Sequence, residues 1–202
     1  MLTDLPNLLT LSRIVVVPIV VGLVVIHTPQ TDCAACVLFI LAGITDYLDG
    51  KLARAWNQNS DLGRMLDPIA DKLLVGASLM VMAGLGRLPY GCLYPAIIIL
   101  SREILVSGLR EYLAATRVGL PVTRLAKWKT GFQMTAIGFL LAGDSTAALL
   151  HIGWLPVDVL GAVMMWIAAA LTLITGWDYL STGLRHVNGT GTGATKLSSC
   201  PT

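Results

Sequence analysis

The sequence predicts an all-α polytopic membrane protein: six transmembrane helices, preceded by a short N-terminal amphipathic helix lying in the interface. Three observations carry this. The 202-residue chain is 55% hydrophobic and only 13% charged, and its mean hydropathy of +0.73 lies outside the range of ordinary soluble domains. Its apolar runs reach the ~20 residues that cross a bilayer. Its basic residues are shared unevenly between alternate connections, as the positive-inside rule describes for multispan chains.

Taken in order, residues 1–11 carry Asp4 and Pro6 and no positive leader, which speaks against a cleavable signal. Leu5, Leu8, Leu9 and Leu11 alternate with Asn7, Thr10 and Ser12, the pattern of a short interfacial helix. Spans then follow at 12–27, 33–53, 65–86, 92–114, 130–150 and 156–182. The connections at 28–32 and 143–156 contain no Lys or Arg, whereas Lys51, Arg54 and Arg64 border one intervening loop. Arg110, Arg117, Arg124, Lys127 and Lys129 border another, so both termini are expected in the cytoplasm, with Arg87 the one basic residue on the opposite side. Residues 1–186 form one membrane domain; the Gly/Thr/Ser-rich stretch 187–202 is expected to be a disordered tail or an appended remnant.

The net charge of +2 and the absence of an extended basic patch argue against nucleic acid as a partner. Cys33 and Cys36 form a C-x-x-C at the start of the second span, but no nearby His pair completes a zinc site, and they read as small apolar residues of a helix start. His27, His151 and His186 read as interfacial, and Trp56, Trp128 and Trp154 as an aromatic belt at span ends.

Against this apolar background stands one acidic constellation, Asp46-x2-Asp49-Gly50-x2-Ala53-Arg54-x8-Gly63-x3-Asp67-x3-Asp71. An ionised carboxylate costs several kcal/mol to desolvate unless something positive neutralises it, so four of them point to bound cations or a proton relay. Residues three or four apart share a helix face, so Asp46 with Asp49, and Asp67 with Asp71, project as two pairs from consecutive helices. Antiparallel packing of those helices would bring the pairs together, at the cytoplasmic ends of the second and third spans.

The pattern D-x2-D-G-x2-A-R-x8-G-x3-D-x3-D resembles the signature of the CDP-alcohol phosphotransferases, with every specified position present. The segment Pro6-Asn7-Leu8-Leu9-Thr10-x2-Arg13-x4-Pro18 is similar to the family's entry segment. Substrates of this class carry a pyrophosphate whose charge must be neutralised before an oxygen nucleophile approaches phosphorus. Two divalent cations, Mg²⁺ or Mn²⁺, do this with oxygen ligands, clamping attacking and leaving oxygens together. The resemblance implies that Asp46, Asp49, Asp67 and Asp71 ligate the metals and that Asp71 is also the catalytic base for the acceptor hydroxyl. It implies that Gly50, Ala53, Arg54 and Gly63 surround the CDP moiety, with Thr45 and Asn7 as further nucleotide contacts, and that the protein is a homodimer. Arg13 is either a nucleotide contact or an arginine snorkelling to the interface, and Pro68 sits either in a first helical turn or at a local kink.

The acceptor is argued from the fourth and fifth spans. Glu103, Ser107 and Arg110 form one polar stripe at i, i+4 and i+7, and Lys127-Trp128-Lys129-Thr130 enters the fifth span with two cations. The combination R-E-x5-L-R-E, then K-x-K-T, then Gln133-Met134 resembles the bacterial phosphatidylglycerophosphate synthases, out to about Arg185. That resemblance implies CDP-diacylglycerol as donor, sn-glycerol 3-phosphate as acceptor, and a multi-pass protein of the bacterial inner membrane with its site facing the cytosol. A phosphorylated acceptor needs cations of its own: Arg110, Lys127 and Lys129, with Arg102 behind them. Two alternatives stay open: another acceptor alcohol within the family, such as inositol phosphate, serine or phosphatidylglycerol, and a cation transporter whose aspartates line an ion path.

Overall fold

Helix boundaries fall where the sequence places its breakers. The structure, a computed structural model, describes residues 5–56, 61–115 and 124–191, with side chains described for 10–46, 66, 68–111, 113 and 125–181. The described residues form six helices: α1 (Leu5–Ile26), α2 (Pro29–Trp56), α3 (Asp61–Gly84), α4 (Leu93–Ala115), α5 (Arg124–Leu149) and α6 (Val157–Gly191). Among the described residues there is no strand. Each helix contains most of one expected span. The expected interfacial segment is continuous with α1, and α6 runs past the expected domain boundary at 186.

The turns show why the chain reverses where it does. Thr28 caps α2: its Oγ1 accepts the Thr31 N–H at 3.2 Å, and Thr31 Oγ1 accepts the Thr28 N–H at 2.9 Å. This is a reciprocal cap with Pro29 at the first helical position, where a missing N–H costs nothing. α3 ends in a Schellman motif, with Arg87 N–H to Met82 O at 2.8 Å, Gly86 N–H to Ala83 O at 3.1 Å, and Gly86 left-handed at φ 67. α5 ends the same way, with Ile152 N–H to Ala147 O at 2.9 Å, but here His151 takes the left-handed position at φ 58.

The helices close a ring in the order α3, α1, α2, α5, α6, α4, with thin packing where α3 returns to α4 and α5. The core runs through it: Val20 and Val24 of α1, Phe39 of α2, Leu74 and Met82 of α3, Ile99 of α4, Leu140 of α5 and Met165 of α6 are all buried. α5 and α6 pack closely at Gly161, where a Cβ would fall 2.9 Å from Leu140 Cγ. Large apolar side chains such as Ile19, Ile40, Met80, Ile97 and Leu173 point outward, as they do on a surface that meets lipid or a partner. Among the described residues one helical stretch, Val157–Ser181, is long and apolar enough on its own to cross a membrane.

The ends of the helices opposite the acidic motif are clamped by a buried ion pair that the sequence did not announce. Asp32, fully buried in the first turn of α2, accepts two bonds from Arg87, Nη1 to Oδ1 and Nη2 to Oδ2, both at 2.9 Å. His27 Nδ1 lies 3.0 Å from the same carboxylate. His27 is thus exposed, as expected of an interfacial residue, but bonded. Arg87 follows Gly86, so the Schellman turn aims it back at α2. α5 breaks beside this pair at Gly143 (φ 65, ψ 172), a conformation essentially reserved for glycine. Asp144 Oδ1 accepts the Asp158 N–H at 3.1 Å and satisfies one of the free donors at the start of α6.

Two points left open by the sequence are resolved. Among the described residues α2 and α3 do not pack as a pair; each packs on α1, which stands between them, so the acid-bearing helices meet across a third element. Of the two placements open for Pro68, the first turn is excluded, since it lies inside α3.

Candidate active site

Three helices bring the described aspartates together. Asp46, on α2, accepts an ion pair from Arg13 Nη1 of α1. Arg13 is 1% exposed. Arg13 therefore does not snorkel; it is held inside the bundle, where a guanidinium is stable only against a counter-charge. Asp71, on α3, lies close enough to feel the charges of both Asp46 and Arg13. Arg13 thus brings a positive charge from α1 to a site where two carboxylates feel each other. It does so because α1 packs on both α2 and α3.

Asp71 also forms one wall of a cavity of about 670 Å³ that opens where α3 packs thinly against α4 and α5. Arg102 and Arg110 of α4 and Lys127 and Lys129 of α5 line it as well. All four cations proposed for the acceptor phosphate are thereby gathered in one space with Asp71. Lys129 is buried and its Nζ is paired with Glu103 Oε1. Arg102 stands 3.9 Å from the same glutamate and donates from Nη2 to Thr175 Oγ1 at 3.0 Å. Lys127 and Arg110 are exposed. Lys72, which neighbours Asp71, donates to the Pro68 carbonyl at 3.0 Å.

Thr45 Oγ1 donates to the Ala42 carbonyl of its own helix at 2.9 Å, the local back-bond usual for threonine within a helix. Asn7, Asp49, Gly50, Ala53, Arg54, Gly63 and Asp67 lie on α1, α2 and α3, and their side chains fall outside the described residues. Among the described residues no group of three or more His, Cys, Asp or Glu could hold a metal. The donors that are described, the carboxylates of Asp46 and Asp71, suit a hard divalent cation in chemistry.

A second, apolar groove of about 620 Å³ runs between α2 and α5, walled by Phe39, Ile40 and Ile44 on one side and Phe139 and Ala142 on the other. Met134 belongs to both spaces. Its Cε packs over Gly43, where a Cβ would come within 3.0 Å. The polar cavity and the apolar groove therefore share one side chain as their partition.

Sequence alone assigned no role to two residues of this site. Gln133, noted only as part of the subfamily pattern, is buried with its Oε1 unpaired among the described residues and lines the polar cavity, one turn beyond Lys129; the i+4 spacing was the available signal. Tyr179 of α6 gave no signal, since an aromatic near a span end reads as an interfacial anchor.

Comparison with known proteins points the same way. The chain matches the CDP-alcohol phosphatidyltransferase family over residues 3–174. A Rickettsia typhi protein named CDP-diacylglycerol–glycerol-3-phosphate 3-phosphatidyltransferase is 43% identical over 87% of this chain and 94% of its own length. A Cereibacter sphaeroides protein of the same name is 40% identical over 91% of this chain and 97% of its own. A third, from Shigella flexneri, is 36% identical over 88% of this chain and 93% of its own.

Proposed function

The chain belongs to the CDP-alcohol phosphatidyltransferase family, and on that premise we propose that it transfers the phosphatidyl group of CDP-diacylglycerol to sn-glycerol 3-phosphate, releasing CMP. The observation that carries this reading is the cavity in which Arg102, Arg110, Lys127 and Lys129 stand around the space that Asp71 borders. A dianionic acceptor needs several cations distinct from whatever holds the pyrophosphate, and a neutral alcohol would not.

In this mechanism the acceptor phosphate is held by the cations of α4 and α5, which orients the glycerol hydroxyl toward phosphorus. Asp71 takes the hydroxyl proton as the oxygen attacks in line; the new phosphorus–oxygen bond forms as the bond to CMP breaks. Asp46 and Asp71, with Asp49 and Asp67, would hold divalent Mg²⁺ or Mn²⁺, which when bound neutralises the pyrophosphate and acidifies the attacking hydroxyl. Arg13 holds Asp46 in place against its like-charged neighbour. Gly50, Ala53, Arg54 and Gly63, with Asn7 and Thr45, border the cytidine side. The apolar groove beyond Met134 suits an acyl chain of the donor, so that headgroup and tail occupy adjoining spaces. We place the protein as a six-span homodimer of the inner membrane, with its termini and polar cavity facing the cytosol.

The test supplies purified protein with CDP-diacylglycerol, Mg²⁺ and a panel of acceptors, and follows CMP release. Glycerol 3-phosphate should be the preferred acceptor, chelation should stop turnover, and Asp49→Asn should abolish release while the protein stays folded. Preference for an unphosphorylated alcohol would overturn the acceptor assignment, and full turnover in excess chelator would overturn the metal assignment.

A further inference from the structure

One face of α6 meets the acceptor cavity with a set of contacts aimed at α4. Thr175, Gly176 and Tyr179 fall at i, i+1 and i+4, within reach of one neighbouring helix. Thr175 takes a hydrogen bond from Arg102. At Gly176 a Cβ would stand 3.1 Å from Arg102 Cγ and 3.5 Å from its Nε, so the missing side chain is what lets the arginine lie across α6. The Tyr179 ring, 4% exposed, holds the Arg102 guanidinium carbon 5.5 Å from its centroid and that of Arg110 at 5.6 Å.

Both distances lie within the ~6 Å range of cation–π attraction. Arg102 and Arg110 are separated by about 12 Å along the α4 axis at 1.5 Å per residue, and their charges repel. One ring that attracts both draws them toward a common point. Both line the cavity.

From this geometry we infer that Tyr179 is a positioning residue for the acceptor: its ring sets Arg102 and Arg110 side by side as one dianion-binding pair, and Thr175 and Gly176 fix the Arg102 half of it. This rests on the glycerol-phosphate reading above and adds α6 to the elements that select the substrate. The ring is the working part. The Tyr179 hydroxyl is buried with no hydrogen-bond partner among the described residues, so the conservative change to phenylalanine removes no bond described in the fold.

The experiment measures steady-state CMP release in mixed micelles, varying glycerol 3-phosphate at saturating CDP-diacylglycerol and then the reverse. Tyr179→Leu should raise the KM for glycerol 3-phosphate by about tenfold, for loss of two cation–π contacts, and leave the KM for the lipid donor unchanged. Tyr179→Phe and Tyr179→Trp, which keep an aromatic face, should hold the acceptor KM near that of the native protein. Gly176→Ala should raise the acceptor KM as well, by displacing Arg102 while the ring stays. The inference is overturned if Tyr179→Leu leaves the acceptor KM unchanged, if it raises both KM values equally, or if Tyr179→Phe is as impaired as Tyr179→Leu. Should Tyr179→Leu fail to fold, Gly176→Ala decides, and an unchanged acceptor KM in that variant is a refutation. Saturable use of glycerol 3-phosphate by the native protein beside an unaffected Tyr179→Leu would sink this role alone; failure of the native protein to use glycerol 3-phosphate would remove the acceptor assignment itself, and this inference with it.

Discussion

Breaking the Asp32–Arg87 pair should unfold this protein more readily than any change to its charged surface. Asp32 is fully buried and Arg87 is 12% exposed, and the two bonds between them are parallel and of equal length. Replacing Arg87 by methionine keeps most of the packing but strands a carboxylate inside the bundle, a situation that costs about 3–5 kcal/mol. His27 offers that carboxylate one surviving partner, so the loss for Arg87→Met should fall toward ~3 kcal/mol. Asp32→Leu takes from the guanidinium its closest partner instead. Arg87 keeps the Leu141 and Val24 carbonyls at 3.4 and 3.5 Å and the Asp158 carboxylate beside Gly143, so this loss should also be about 3 kcal/mol. The double variant removes both charges and should recover to within about 1 kcal/mol of the native protein, because an apolar pair of similar volume often replaces a buried ion pair at little cost. The assay is equilibrium unfolding in mixed micelles titrated with SDS and read by circular dichroism, arranged as a double-mutant cycle. A coupling energy below about 0.5 kcal/mol, the size expected of independent sites, would refute the reasoning. Asp32 and Asp46 are some 20 Å apart along α2 at 1.5 Å per residue, so the folded fraction of each variant should keep its KM values.

The remaining predictions concern the cavity and two backbone sites. Lys129→Met should raise the acceptor KM about tenfold or more, as loss of a charge-assisted contact would, and should lower stability by removing the nearer of the two cations beside Glu103. Adding Glu103→Gln should restore the stability but not the acceptor affinity, and recovery of both would argue that Lys129 is only structural. Gly161→Val should destabilise by at least ~1–3 kcal/mol through overpacking against Leu140, read as a lower unfolding midpoint; an unchanged midpoint would mean that α5 and α6 part freely. His151→Gly should stabilise by up to about 1 kcal/mol, since glycine takes the left-handed position without a Cβ penalty; a lower midpoint would point to an unrecognised role for the imidazole.

The helices were legible because hydropathy and breakers are local properties. Pro29, Gly86 and Pro156 lie at the ends of apolar runs, and each run became a helix. Asp46 and Asp71 were legible because ionisable groups in an apolar chain demand a reason, and the acceptor cations because they recur at helical spacing. Arg13 was half legible: the sequence placed it in the entry segment, but its partner is 33 residues away. Tyr179 was not legible, because a single aromatic takes on meaning only beside the arginines it faces.

What the sequence determined alone was the inventory: six apolar helices, a dense acidic motif, and cations spaced to answer a second negative substrate. The tertiary structure decided the neighbours. It put α1 between the two acid-bearing helices, clamped Asp32 to Arg87 across the far end, and turned α6 so that one tyrosine ring serves two arginines of α4. The division has a physical cause. Helix formation and burial depend on residues within a few turns of one another, whereas which helices touch depends on small local fits, such as Gly161 under Leu140 or Gly176 under Arg102, between segments far apart in the chain.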